Sequence, residues 1–184
     1  MSTDTQSALT KLDAARRAIV EVKTIPDAKK LLDEFSTLLD YAKRQRMELE
    51  VQNEVAECRI WTRRKLGTML AEMPKAQGTR GQLVGPGVIG PSSAEGLIDE
   101  PATLSEMGIS YTESSRMQAE ATVPHESITN YVAAKKEKDQ EITASDIYRM
   151  AQRLKQEAER EQQDENELDL IESLKQSDLY RAKG

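Results

Sequence analysis

The chain has 184 residues, 32% of them charged, a formal net charge of −6, and only one Trp, one Phe, five Tyr, one His and one Cys. So much charge and so few aromatics exclude a thick compact core and favour an extended, helical protein built on Leu, Ile, Val, Met and Ala. A single Cys excludes an internal disulfide, and the lack of a long apolar run argues against a membrane span or secretory signal, so the expected setting is a reducing cytoplasm.

Ala8, Leu12, Ala15, Ile19 and Val22 recur at helical spacing and predict a first amphipathic helix. Thr24-Ile25-Pro26-Asp27 predicts the start of a second, with a capping Thr and a proline that the first turn tolerates. Its apolar stripe runs Ala28, Leu31, Leu32, Phe35, Leu38, Leu39, Ala42. Val51, Val55, Cys58, Thr62, Leu66, Met69 and Met73 then step by four and three residues. Such a seam needs a partner helix, in this chain or in a second copy. Residues 1–73 are therefore expected to form a helical hairpin or a coiled-coil homodimer.

From 74 to 100 the helical period disappears. Six of the nine glycines lie here, with Pro86 and Pro91, which predicts a flexible linker. Arg80, beside Gly81, reads as an exposed linker residue or as an arm reaching a phosphate or minor groove.

Residues 101–160 hold the most informative pattern. A short helix with Leu104 and Met107 on its buried side is expected to end at Gly108, where glycine permits the positive φ of a sharp turn. Ser110-Tyr111-Thr112-Glu113 has the S-x-x-E form of a capping box and opens the next helix. Ile109 plugs the corner and Met117 faces inward, while Ser110 at the cap and Tyr111, Thr112, Ser115 and Arg116, with Glu113 as a further candidate, point outward. This is the layout of a helix-turn-helix, whose second helix presents its first turns to base edges in the DNA major groove. Two positions depart from the usual pattern: Leu104 stands where a small alanine is common, and Ser114 where an aliphatic residue is usual. Val123-Pro124 then leads to a helix with Ile128, Tyr131 and Val132. A polar hinge, 135–140, precedes Glu141-Ile142-Thr143 and a long last helix capped by Thr143-x-x-Asp146. That helix continues into an acidic tail, 161–184, where Leu168, Ile171 and Leu174 make a short apolar stripe. The tail reads as a solvated end or as a docking element.

The order from Ala102 to Ala151 resembles the central DNA-binding segment of the ParB/KorB partition proteins. In them, Pro-containing and Ile-Thr steps follow the recognition helix, as Val123-Pro124 and Ile142-Thr143 do here. The resemblance covers about 50 residues and implies double-stranded DNA as a partner. Arg63-Arg64-Lys65-Leu66-Gly67 lacks the glycine that precedes the arginines in that family's nucleotide-binding box, so nucleotide hydrolysis and clamp behaviour are not carried over. The whole chain is similar to small uncharacterised phage and prophage proteins. The shared pattern runs through Leu12, Ala15, Arg16, Asn53, Glu54, Ala56, Glu57 and Arg59, then Leu66, Gly67, Leu70, Ala71, Glu72 and Met73. That likeness implies a phage or mobile-element setting.

Charge sets a limit on the DNA reading. Residues 101–160 carry 8 basic and 10 acidic side chains, and residues 161–184 carry 3 and 7. Phosphate contact and counterion release normally drive DNA affinity, and Arg116 is the one firm cation near the expected recognition helix. Dimerisation is therefore expected to double the contacts. Lys43, Arg44 and Arg46 lie near the bend between the second and third helices, and Arg59, Arg63, Arg64 and Lys65 follow on the third. The latter four are a solvated face paired with Glu54, Glu57 and Glu72, or a secondary phosphate-contacting strip.

Catalysis finds little support. One His (His125) and one Cys (Cys58) cannot build a metal cage, and no cofactor motif is present. His125 reads as a capping or surface residue, and Cys58 as a small buried hydrophobe. The expectation is a non-enzymatic, all-α phage or mobile-element protein. It has an N-terminal helical dimerisation region (1–73), a linker (74–100), a helix-turn-helix domain (101–160) and an acidic tail helix (161–184). It acts as a dimeric DNA-binding regulator of transcription. The alternative is a protein-interaction adaptor, or an inhibitor of a host or phage protein, that works through helical surfaces without nucleic acid. An accessory subunit of a DNA-modifying enzyme would combine the two.

Overall fold

The computed structural model describes residues 13–73 and 103–181, with side chains to residue 171. Ala8, Leu12, the segment with Arg80 and the side chain of Leu174 lie outside the described residues. The fold is all-α: α1 (13–21), α2 (Ile25–Arg44), α3 (Leu49–Glu72), α4 (Tyr111–Ala121), α5 (His125–Glu137) and α6 (Ala144–Arg181). No described helix is long and apolar enough to cross a membrane.

Local chemistry explains most of the helix ends. The Thr24 hydroxyl accepts the Asp27 N–H at 3.3 Å, and Pro26 sits in the first turn of α2, where its missing N–H costs nothing. α2 ends with Arg46 in the left-handed region (φ 52°), the Arg46 N–H on the Lys43 carbonyl and the Met47 N–H on Ala42. These are the paired bonds of a Schellman cap. α5 ends the same way around Asp139 (φ 48°).

Packing departs from the expected two-part plan. One core cluster joins Leu39, Val55 and Ile60 to Val123, Ile128, Val132, Ile142 and Ile147. A second joins Ala28, Leu32, Leu66 and Leu70 to Ile109 and Met117. Both draw on residues before and after 74–100, so the described residues do not divide into a dimerisation region and a separate helix-turn-helix domain. α3 is the shared wall. Its seam residues Val55, Cys58, Thr62 and Leu66 are buried by the chain's own helices, and so are Asn53, Ala56, Ile60, Gly67 and Leu70 between them. The other three seam residues, Val51, Met69 and Met73, are half-buried, so most of the seam is spent within the chain.

Polar groups complete the wall. The Asn53 side-chain amide donates to the Gln140 carbonyl and its oxygen accepts the Ile142 N–H, both at 2.9 Å. It thereby fixes the chain between α5 and α6. Glu54 and Glu57 take Lys136, at 2.5 and 2.7 Å, and Glu54 also takes Arg16 at 2.7 Å. The first turns of α6 bury Ile147 and Ala151, but every described side chain from Arg153 to Ile171 is exposed. The acidic tail is continuous with this helix as far as Arg181.

Candidate nucleic-acid interface

The segment before α4 is a single helical turn, 104–108, where a short helix was expected. It is capped at both ends. The Thr103 hydroxyl accepts the Glu106 N–H while the Glu106 carboxylate accepts the Thr103 N–H at 2.7 Å, a complete capping box. At the other end, the Gly108 N–H reaches the Ser105 carbonyl and the Ile109 N–H reaches Leu104, a Schellman cap with Gly108 at φ 66°. Leu104 and Met107 pack against the cluster that contains Ile109. Two caps enclose one turn and leave no length for a helix.

Ser110 opens α4 with a second box. Its hydroxyl accepts the Glu113 N–H at 3.2 Å, and Glu113 returns to the Ser110 N–H at 3.2 Å. Hydrogen bonds from the Ser110 hydroxyl and then its backbone N–H hold the Glu113 carboxyl below its ordinary range. The Thr103 N–H, then its hydroxyl, does the same to Glu106. Both glutamates are committed to caps. Glu113 is therefore not a base-reading side chain.

α4 has one fixed face and one free face. Ser114, Met117 and Glu120 are buried, and the Ser114 hydroxyl accepts from Gln118 at 2.9 Å, which explains how a serine stands where an aliphatic residue is usual. Beneath them, α3 approaches so closely that a Cβ on Gly67 would lie 2.0 Å from the Met117 carbonyl oxygen. Arg63 pairs bidentately with Glu120, at 2.7 and 2.8 Å, with side chains only 11% and 5% exposed. Ser110, Tyr111, Thr112, Ser115 and Arg116 are all exposed, Tyr111 to 81%.

The secondary strip Arg59, Arg63, Arg64 and Lys65 does not form. These four side chains point to two sides of α3. Arg63 is spent inside the protein on Glu120, not on Glu54, Glu57 or Glu72, because only Glu120 faces it across the helix crossing. Arg64 and Lys65 line a cleft with Trp61 and His125. His125 stacks on Trp61, with ring centroids 4.5 Å apart, and makes no cap bond; Pro124 holds the cap position. Cys58 is buried as expected, and loss of hydration pushes its thiol up to about 11.

Arg59 instead joins Arg116. Both line a cleft of about 660 Å³ that also takes Lys43 from the end of α2, and Tyr148 and Arg149 from the start of α6. The sequence pattern places Lys43 near a bend and singles out neither Arg149 nor Glu120. No periodicity brings these together; four helices do. At the start of α6 the expected Thr143–Asp146 cap is half formed. The Thr143 hydroxyl accepts the Asp146 N–H at 3.3 Å, but the Thr143 N–H goes to the Tyr131 hydroxyl, which donates to Asp146 at 2.8 Å. Compared with known proteins, the chain matches no family model, no curated protein and no solved structure.

Proposed function

We propose that this chain is a phage or mobile-element protein that binds double-stranded DNA through α4, without catalysis, in the cytoplasm of a bacterial host. One observation carries the reading. The first turns of α4 leave Ser110, Tyr111, Thr112, Ser115 and Arg116 exposed and in register, while Gly67 and the Arg63–Glu120 pair hold the opposite face against α3. A helix locked from behind, with a polar face in front, is what a recognition helix needs. The capped N-terminus and Ser115 offer hydrogen bonds to backbone phosphates, and Tyr111 and Thr112 offer them to base edges.

Two copies on a two-fold site would double a sparse positive surface. Because most of the α3 seam is covered, pairing is assigned to the exposed stretch of α6, where Leu168, Leu170 and Ile171 face solvent and a helix alone in water is marginal. Selection of sites from random duplexes at physiological salt tests the DNA reading. Enrichment of one sequence is expected, with Arg116→Ala strongly weakening the band shift on it. No enrichment, with no salt-sensitive retention of any duplex, rejects the reading.

An adaptor role draws support from a different surface, a shelf on α2 lined by Pro26, Leu38, Tyr41 and Met107, on which Leu38 and Tyr41 are 45% and 55% exposed. An apolar complex there should survive high salt, whereas DNA affinity falls steeply with it.

A further inference from the structure

We propose that Arg59 and Arg116 form a two-guanidinium clamp for one phosphate group, in the cleft bounded by α3, α4 and the N-terminal end of α6. The assignment of that phosphate to a DNA backbone rests on the reading above. The clamp itself does not.

Five cationic side chains line the cleft, and three are already occupied. Arg63 is held by Glu120, Lys43 by Glu141, and Arg149 by Asp146 at 2.8 Å. Among the described residues, neither Arg59 nor Arg116 has a carboxylate within ion-pairing distance. Arg59 is half-buried and donates only through Nε, to the Ser36 hydroxyl at 3.0 Å. Its two terminal nitrogens have no hydrogen-bond partner among the described residues. Burial first, and then the neighbouring Arg63 charge, make its protonated state harder to hold than that of an ordinary arginine, and the more distant Glu120 and Asp40 offset only part of this. A desolvated cation beside a like charge is relieved by an anion. Arg116 reaches the same space from α4, its guanidinium carbon 5.6 Å from the centre of the Tyr148 ring, a contact that orients the fork.

A phosphodiester suits this arrangement because it has two non-bridging oxygens, one for each guanidinium fork. Thr143, Ala144 and Ser145 also line the cleft, and the positive end of α6 adds to the same field. Arg116 lies one turn beyond Thr112 and beside Ser115 on the exposed face of α4. A phosphate held there sits next to the groove that α4 enters. The clamp therefore sets the register of the helix on the duplex and leaves base reading to Tyr111 and Thr112.

The test uses the full chain and the variants R59Q, R116Q and R59Q/R116Q, each checked by circular dichroism, with R59K as the variant that keeps charge if R59Q fails to fold. Affinity for a duplex is measured across a salt series, and the Arg59 Nε–H resonance is followed as inorganic phosphate is added. Each single variant should lose affinity about tenfold on all sequences and lower the log–log salt slope by about 0.9. The double variant should lower the slope no further, because both arginines hold the same phosphate. Inorganic phosphate should shift the Arg59 resonance in the wild type but not in R116Q. If phosphate gives that shift while no duplex binds, the clamp stands and the DNA reading falls. Duplex binding with an unchanged slope in both single variants overturns the clamp and leaves the DNA reading intact. A phosphate shift that persists in R116Q also overturns it.

Discussion

Neighbouring stretches of α3 and α4 carry opposite chemistry. At Arg63 and Glu120 the charges are complementary, bidentate and buried. Arg59 and Arg116 flank that pair, because Gly67 meeting Met117 and Arg63 meeting Glu120 run the two helices in opposite senses; both cations line an open cleft, and neither has a carboxylate within ion-pairing distance among the described residues. The closed level ties α4 to the body. The open level keeps positive charge beside the exposed face. Arginines four residues apart on one helix can thus serve structure and binding separately, according to what the neighbouring helix places opposite them.

Removing one partner of the closed level should have the largest effect. Arg63→Ala leaves Glu120 buried without a counter-charge, and urea denaturation should show a loss of about 3–5 kcal/mol. Arg63→Met with Glu120→Met should recover most of it; an equal loss in the double variant would show that packing, not charge, holds this level. Gly67→Ala comes next. Its methyl group would lie 2.0 Å from the Met117 carbonyl oxygen, and backbone cannot rotate away, so α4 must shift at a cost of about 3 kcal/mol. A melting temperature equal to wild type would mean that the two helices cross more loosely.

The caps in front of α4 sharpen the contrast at smaller cost. Ser110→Ala should lower stability by about 1 kcal/mol, read from thermal melts. The Glu106 and Glu113 pKa values are depressed in the fold, so their contribution is complete above the unfolded glutamate value and is lost as pH falls through the folded values. Glu113→Gln should flatten part of that acid-side loss; an unchanged pH profile would remove Glu113 from it. The smallest effect belongs to the open level. Arg116→Gln should change unfolding stability by less than about 0.5 kcal/mol, as expected of an exposed residue outside the core, while affecting DNA retention strongly. A large loss of stability there would make Arg116 structural and end the comparison.

The caps at Thr24, Gly108 and Ser110 were readable from the residues, because each such interaction closes within three to five positions. Thr24, Gly108, Ser110 and Glu113 meet partners that close in the chain, so the identity and spacing of a few residues are enough to specify the bond. The apolar stripes of α2 and α3 were readable for a related reason, since a period of 3.6 residues marks a buried face wherever the helix docks. What covers that face is a different question. The seam on α3 suits a second copy as well as it suits α4, and only packing shows the chain's own helices lying over it. The same holds for charge. Arg63 and Glu120 are 57 positions apart, and nothing local distinguishes Arg63, which is consumed, from Arg59, which is left open. Short-range chemistry built the helix that faces outward, and long-range folding chose which of its neighbouring cations stay available.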